Sequence, residues 1–222
     1  MNSWNSGEVA KQEVFDHFAH VIKAVGNGRR LELLEILAQG EHTVEALSRM
    51  SGLAVSTTSN NLQTLKRSGL VATRREGTSI FYRVAGDDVV ELFIAAKAVA
   101  LRRHPSLGDA LQTYLDHPRT QGPTIDPSLV DAGMYVLDVR PRNEYEAGHL
   151  PDAVSIPMTE LGARHDEIPR DRQVVVYCRG ELCRLAREAA AFLRGHGVDA
   201  HAMTEGVAEW RAGKDFPLDH AA

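Results

Sequence analysis

The hydrophobic period of the chain changes halfway along, and that change limits the folds open to it. Before residue 104, apolar residues recur at helical spacing: Phe18, Val21, Ile22 and Val25, then Leu31, Leu34 and Leu37. After residue 123, apolar runs of strand length (Met134 to Val139, Val154 to Ile156, Gln173 to Tyr177, Val198 to Met203) alternate with helix-like segments, the clearest from Leu182 to Leu193. Strands alternating with helices imply a mainly parallel sheet in an α/β domain. Between the two styles, HPSLGDALQTYLDHPRTQGP holds three prolines and only a short helical piece. The expectation is an α+β two-domain protein: a mostly helical domain over 8–103, a linker over 104–123 and an α/β domain over 124–218. A chain of 222 residues is long enough for two cores.

Punctuation in the first half resolves its helices. Gly26-Asn27-Gly28 breaks the first run and Gly40 the second. Thr43 is placed to cap a short helix from Val44 to Met50, which Gly52 ends. Ser56 then caps a second helix whose inward face reads Val55, Ser59, Leu62 and Leu65, closed by Gly69. LVATRREGTSIFYRVAG reads as two strands around Glu76-Gly77-Thr78, and Asp87 to Arg103 as a further amphipathic helix.

Short helix, tight turn, polar helix and basic hairpin make a winged helix-turn-helix. The second helix offers Ser56, Thr57, Thr58, Asn60, Asn61, Gln63 and Lys66 on its polar side. Amides of this kind bond base edges in pairs, while hydroxyls and lysine reach phosphates. Arg74, Arg75 and Thr78 sit at the hairpin tip, placed for a neighbouring backbone or minor groove. An ordinary solvated helix and turn would explain any one of these residues, but the ordered combination points to DNA. Charge agrees locally: 66 to 83 carries Lys66, Arg67, Arg74, Arg75 and Arg83 against Glu76 alone, although the whole chain is at -5.

From His20 to Leu92 the chain resembles the ArsR family of bacterial winged-helix repressors, on KAVGNGRRLELLEIL and VEALSRMSGLAVSTTSNNLQTLKRSGLVATRREGTSIFYRV. The resemblance implies a homodimer joined through terminal helices, here roughly Glu8 to Val25 and Asp87 to Arg103. It also implies double-stranded operator DNA with palindromic half-sites about one turn apart. Metal-sensing relatives carry cysteine in the helix before the recognition helix, and GEHTVEALSRM has none. His17, His20 and His42 form no ligand cluster by spacing, so neither a metal nor another cofactor is expected.

The chain's two cysteines both lie in one short stretch, YCRGELCR. Two are too few for a disulfide framework or a thiolate zinc site, and in a reducing compartment such a pair is more often reactive. No apolar run reaches the roughly 20 residues of a membrane span, and the first residues lack a signal-peptide pattern, so a cytoplasmic protein without membrane contact is expected. Cys178 follows Val174-Val175-Val176-Tyr177, at the carboxyl end of an expected parallel strand where open α/β sheets bind ligands. Loop amides, with Arg179 and Arg184 nearby, would cradle an anion and lower the Cys178 pKa.

This half resembles a rhodanese (sulfurtransferase) domain, on VLDVRPRNEYEAGHLPDAVSIP, VVVYCRGELCRLA and EGVAEWRAGKDFPL. The resemblance implies Cys178 as the sulfur-accepting nucleophile, Asp138 and Arg140 as braces of the active-site region, and His149 and Trp210 as fold markers. The loop departs from the common rhodanese pattern: Gly180 comes early, Glu181 adds negative charge that disfavours thiosulfate, and Cys183 follows. Cys183 is either a resolving thiol for a modified Cys178 or a small residue packed at the helix start. Cys178 to Arg184 also fits the C-x5-R cradle of phosphatases and arsenate reductases, which Glu181 opposes. The leading expectation is a DNA-binding repressor that senses or transfers reactive sulfur from a small donor. The rivals are a sulfurtransferase that regulates its own operon, a C-x5-R enzyme, and an inert interaction module.

Overall fold

The computed structural model describes residues 10–213 and 218–220. Glu8 and Val9 of the expected first helix, and residues 214–217 of the third rhodanese-like motif, lie outside them. The first half runs α1 (Lys11–Val25), α2 (Gly28–Leu37), β1 (His42–Thr43), α3 (Val44–Ser51), α4 (Val55–Arg67), β2 (Val71–Glu76), β3 (Ser79–Val84) and α5 (Asp87–Arg103). The β strands form an antiparallel sheet in the order β1-β3-β2. Local chemistry sets the boundaries. The Asn27 side chain accepts from the Arg29 and Arg30 amides, Thr43 accepts from Ala46, and Gly52 ends α3 at φ 66°. Gly77, at φ 58°, supplies the left-handed residue of the tight β2–β3 turn. Leu33, Leu34, Leu37, Leu47, Leu62 and Leu65 fill the core.

One helical face differs from expectation. Val55 is 48% exposed, whereas Thr58 is fully buried with Leu62 and Leu65. The inward set is thus 58, 62 and 65, at i, i+4 and i+7. A threonine is tolerated there because its hydroxyl donates to the Ala54 carbonyl 3.1 Å away, one turn back. The helix begins at Val55, with Ala54 rather than Ser56 in the capping position.

The linker is more ordered than its prolines suggest. Pro105 occupies the first position of α6 (Pro105–Leu115), where a missing amide hydrogen costs nothing, and Leu111 and Leu115 are buried. The second half follows with β4 (Thr124–Ile125), β5 (Tyr135–Asp138), α7 (Arg142–Ala147), β6 (Val154–Ser155), α8 (Met158–Arg164), β7 (Val174–Tyr177), α9 (Leu185–Gly195), β8 (Ala200–Met203) and α10 (Val207–Gly213). Every pairing in its sheet is parallel, in the order β4-β8-β7-β5-β6. All four residues of the central β7 are buried, as a strand covered on both faces requires. The helix expected from Leu182, α9, begins at Leu185, because the Cys183 amide donates to the Gly180 carbonyl at 2.9 Å and closes a turn first.

The two halves pack on each other. Ala208 of α10 joins the core of the first half, and α10 lies along α5. Arg211 donates to the Ala38 carbonyl at 2.5 Å and pairs with Asp87 at 2.5 Å. No described helix is long and apolar enough to cross a membrane.

Candidate functional site

The carboxyl end of β7 delivers Cys178 into a tight loop, and the turn before α9 brings Cys183 back to it. The two sulfurs lie 2.6 Å apart, and both cysteines are free thiols. Cys178 is 2% exposed and packs in the α/β core with Val174, Val176 and Ala186, while Cys183 is only partly buried. Burial, then the hydrogen bond to Cys183, pushes the Cys178 thiol up. Cys183 is held down because it accepts that hydrogen bond, with the Leu185 and Arg179 amides also favouring its thiolate. The expected lowering of Cys178 is therefore corrected. The amide at the start of α9 serves Cys183, and the first charge of the pair resides there.

The arginines are also placed differently from the expectation. Arg179 turns away from the sulfurs to the fully buried Glu144 of α7, with Nη2 2.5 Å and Nε 2.9 Å from its carboxylate. The same guanidinium lies 3.2 Å from the Met50 sulfur of α3. Arg184 pairs with Glu188 at 3.5 Å and sits over the Tyr114 ring, 5.4 Å from its centroid. Arg179 is therefore not free to cradle an oxyanion, whereas Arg184 holds only a 3.5 Å contact and its Nε is buried without a hydrogen-bond partner. Asp138 and Arg140 are both fully buried and joined by a forked ion pair, with Nη2–Oδ2 at 2.6 Å. Arg140 also donates to the Gly148 carbonyl at 2.7 Å and lies over the Tyr177 ring, so this pair braces the end of β5 beside β7.

The loop is wired to the other half of the protein, which nothing in the sequence announced. The Glu181 carboxylate pairs with Lys97 of α5 at 3.0 Å, and Lys97 also pairs with Glu209 of α10 at 2.5 Å. Gln39, 2% exposed at the end of α2, donates to the Arg179 carbonyl at 3.1 Å and accepts from Arg140 at 3.2 Å. His42 of β1 lies 3.8 Å from Glu144, and β1 pairs with the β3 strand of the wing. Burial holds the His42 imidazole below its ordinary value, against the pull of Glu144. Gln39, Glu144 and Lys97 are common surface types in sequence: the roles of Gln39 and Lys97 exist only once the halves meet, and that of Glu144 only once α7 packs beside the cysteine loop.

Glu35 of α2 joins this boundary. Burial, then the Glu209 carboxylate, raises it to about 7, with Glu32 adding and Arg179 and Lys97 opposing. Its folded value lies above its unfolded one of 4.5, so its contribution to stability is complete below pH 4.5 and is lost as pH rises through about 7. Urea midpoints measured at pH 5 and pH 8 are expected to differ less for Glu35→Gln than for the unaltered chain. An equal difference in both proteins would show that Glu35 is not the titrating group.

The DNA-facing candidates divide. Ser56, Thr57, Asn60 and Lys66 are exposed on α4, and Asn61 and Gln63 are partly exposed. Thr58 is buried and does not face outward, for the packing reason given above. The Lys66 ammonium rests 2.9 Å from the Thr73 hydroxyl of β2. Arg75 and Thr78 are exposed at the hairpin, but Arg74 is engaged by Glu41 at 2.8 Å and Glu76 at 2.6 Å.

Comparison with known proteins bears on both halves. Residues 27–73 match the bacterial regulatory protein, arsR family, and residues 125–213 the rhodanese-like domain. The HTH-type transcriptional regulator Rv0324 of Mycobacterium tuberculosis is 41% identical over 216 residues, covering 96% of this chain and 94% of its own. Among solved structures, the homodimeric winged helix-turn-helix DNA-binding domain of Mb0332 from Mycobacterium bovis is 46% identical, with a TM-score of 0.41, and covers 45% of this chain and 94% of its own. The rhodanese-related protein of Thermoplasma volcanium is 24% identical at a TM-score of 0.41, covering 45% of this chain and all of its own. A relative that matches this chain almost end to end, across both halves in the same order, leaves one assignment: the chain belongs to the arsR family of bacterial transcriptional regulators and joins that family's helix-turn-helix half to a rhodanese-like domain.

Proposed function

We propose that the protein is a homodimeric, operator-binding repressor whose affinity for DNA is set by the sulfur state of Cys178 and Cys183. The observation that carries this reading is the wiring of the cysteine loop. Glu181 and the Arg179 carbonyl, both between the two cysteines, bind Lys97 of α5 and Gln39 just after α2. A sulfane sulfur accepted by one thiolate gives a persulfide. Attack by the other thiolate expels hydrosulfide and leaves a disulfide bridge. Closing that bridge would pull the loop away from the geometry that seats Glu181 on Lys97, and so bias α5.

Dimerisation is supported by α1, where Phe15, Phe18 and Ile22 are each more than half exposed at i, i+3 and i+7. Such a stripe suits a second copy. Two α4 helices would then read half-sites about one DNA turn apart, through Ser56, Thr57, Asn60, Asn61, Gln63 and Lys66. Arg75 and Thr78 would meet the flanking backbone, with Arg74 in a secondary role because its charge is already shared with Glu41 and Glu76.

The test pairs intact-mass analysis after mild polysulfide treatment with gel-shift on the protein's own upstream DNA. A mass change confined to the peptide holding Cys178 and Cys183, with operator affinity altered about 5- to 150-fold, is expected. Modified cysteines with unchanged affinity would overturn the regulatory reading. They would favour a sulfurtransferase whose DNA binding is a separate function.

A further inference from the structure

The cysteine pair opens to solvent on the Cys183 side only. Cys183 lines a cleft of about 390 Å3 between α2, α6 and the start of α9, whereas Cys178 does not border it. Of the two cations of this cleft, Arg179 is engaged by Glu144, and Arg184 is shared with Glu188 at 3.5 Å while its Nε has no hydrogen-bond partner. Its remaining charge is acidic, from Glu32 and Glu35. Glu35 itself is raised to about 7 by burial and by Glu209, which registers how poorly the place tolerates another negative charge. Thiosulfate or another dianion would meet the Glu32 and Glu188 carboxylates and a Glu35 that already resists ionising, with only Arg184 to offset its charge.

Beside the cleft lies a second cavity of about 550 Å3, itself open to solvent, and the two share Glu32, Glu35, Tyr114 and Leu182 in their walls. Its lining is apolar: Leu31, Phe93, Ala100, Leu107 and Leu111, from α2, α5 and α6. Its only cation, Lys97, is held by Glu181 and Glu209. An open apolar groove that shares a wall with the cleft holding Cys183, a thiol of lowered pKa, suits an uncharged, hydrophobic sulfur compound.

Resting on the reading that this dithiol responds to reactive sulfur, we infer that its oxidant is an uncharged organic trisulfide, bound in the apolar cavity and met first by Cys183. The Cys183 thiolate attacks a terminal sulfur of R–S–S–S–R, forming Cys183–S–S–R and expelling the persulfide anion R–S–S⁻. Cys178, 2.6 Å away, then loses its proton and attacks the Cys183 sulfur, releasing R–S⁻ and closing the Cys178–Cys183 disulfide. The two cysteine sulfurs are oxidised, and the trisulfide is reduced to one persulfide and one thiol, which take up the two cysteine protons.

The probes are dipropyl trisulfide and the anionic sulfane-sulfur compound tetrathionate, each reacted with the full-length reduced protein. Each second-order rate is divided by that of free cysteine with the same probe. The normalised trisulfide rate is expected to exceed the tetrathionate rate at least tenfold. The ratio should collapse in Ala110→Trp, which fills the cavity from an exposed position of α6, and in Leu107→Asp, which places a carboxylate there. Mass mapping of Cys178→Ser should show the mixed disulfide on Cys183, whereas Cys183→Ser should react slowly with both probes. Equal normalised rates, or a ratio unmoved in both cavity variants, would overturn the oxidant assignment. Gel-shift with each probe separates this outcome from failure of the underlying reading. Operator affinity that responds alike to both probes retains a sulfur-controlled regulator and rejects the apolar oxidant. Affinity that responds to neither, with the disulfide formed, rejects the regulator itself.

Discussion

Asp138→Ala is expected to destabilise the rhodanese-like half by about 3–5 kcal/mol, enough to move its urea midpoint by about 1–5 M. The Arg140 guanidinium and its partner are both fully buried, and the pair holds the carboxyl ends of β5 and β7 in register beside the cysteine loop. Burial opposes charge on Arg140, but Asp138 outweighs it and keeps the guanidinium above its ordinary value. Removing the carboxylate leaves a charge in the core with the Gly148 carbonyl, Gln39 and the Tyr177 ring but no directly bonded anion to face. The double variant Asp138→Leu, Arg140→Met removes both charges and should lose less stability than Asp138→Ala alone. Measuring a larger loss for the double variant would mean that packing, not the orphaned charge, sets the cost.

Lys97→Met is the substitution expected to separate the two functions most completely. Lys97 is 12% exposed and spans two carboxylates, Glu181 of the cysteine loop and Glu209 of α10. Burial opposes its charge, yet Glu209 and Glu181 together hold the ammonium above its ordinary value. With methionine there, the loop loses its ionic hold on α5 while α4 and the wing are untouched. The reduced variant should bind operator within a few-fold of the unaltered protein. Its response to polysulfide should shrink at least fivefold, the lower end of ordinary allosteric coupling of about 1–3 kcal/mol. A full response in Lys97→Met, read by gel-shift, would place the coupling in the Gln39 or Arg179–Glu144 contacts instead.

The comparison of sequence and structure is clearest at three places. Helix α3 was legible at both ends, because Thr43 and Gly52 act within one turn of themselves. Helix α4 was legible as an element but not in its facing. Thr58 and Ser59 are equally polar in sequence, and which one turns inward depends on the core it meets. The acidity of the cysteines was misassigned in sequence, since position at a strand end suggested an activated Cys178. The depth of β7 instead buries Cys178, and the turn at 180–183 sets Cys183 at the cleft.

What the sequence by itself determined is the order and kind of elements, the two domain types, and the pairing of both cysteines in one loop. These follow from hydrophobic period, caps and turn residues, all of which act over a few positions of chain. Only the tertiary structure decided the rest: the ion pairs Lys97–Glu181 and Arg179–Glu144, the Gln39 bridge, the raised Glu35 and the exchange of roles between Cys178 and Cys183. Those properties depend on desolvation and on groups brought together by folding, from 5 positions apart at the cysteines to 140 at Gln39 and Arg179. The cysteine pair and Arg179–Glu144 need only the rhodanese-like half to fold, whereas Lys97–Glu181 and the Gln39 bridge need the two halves to meet.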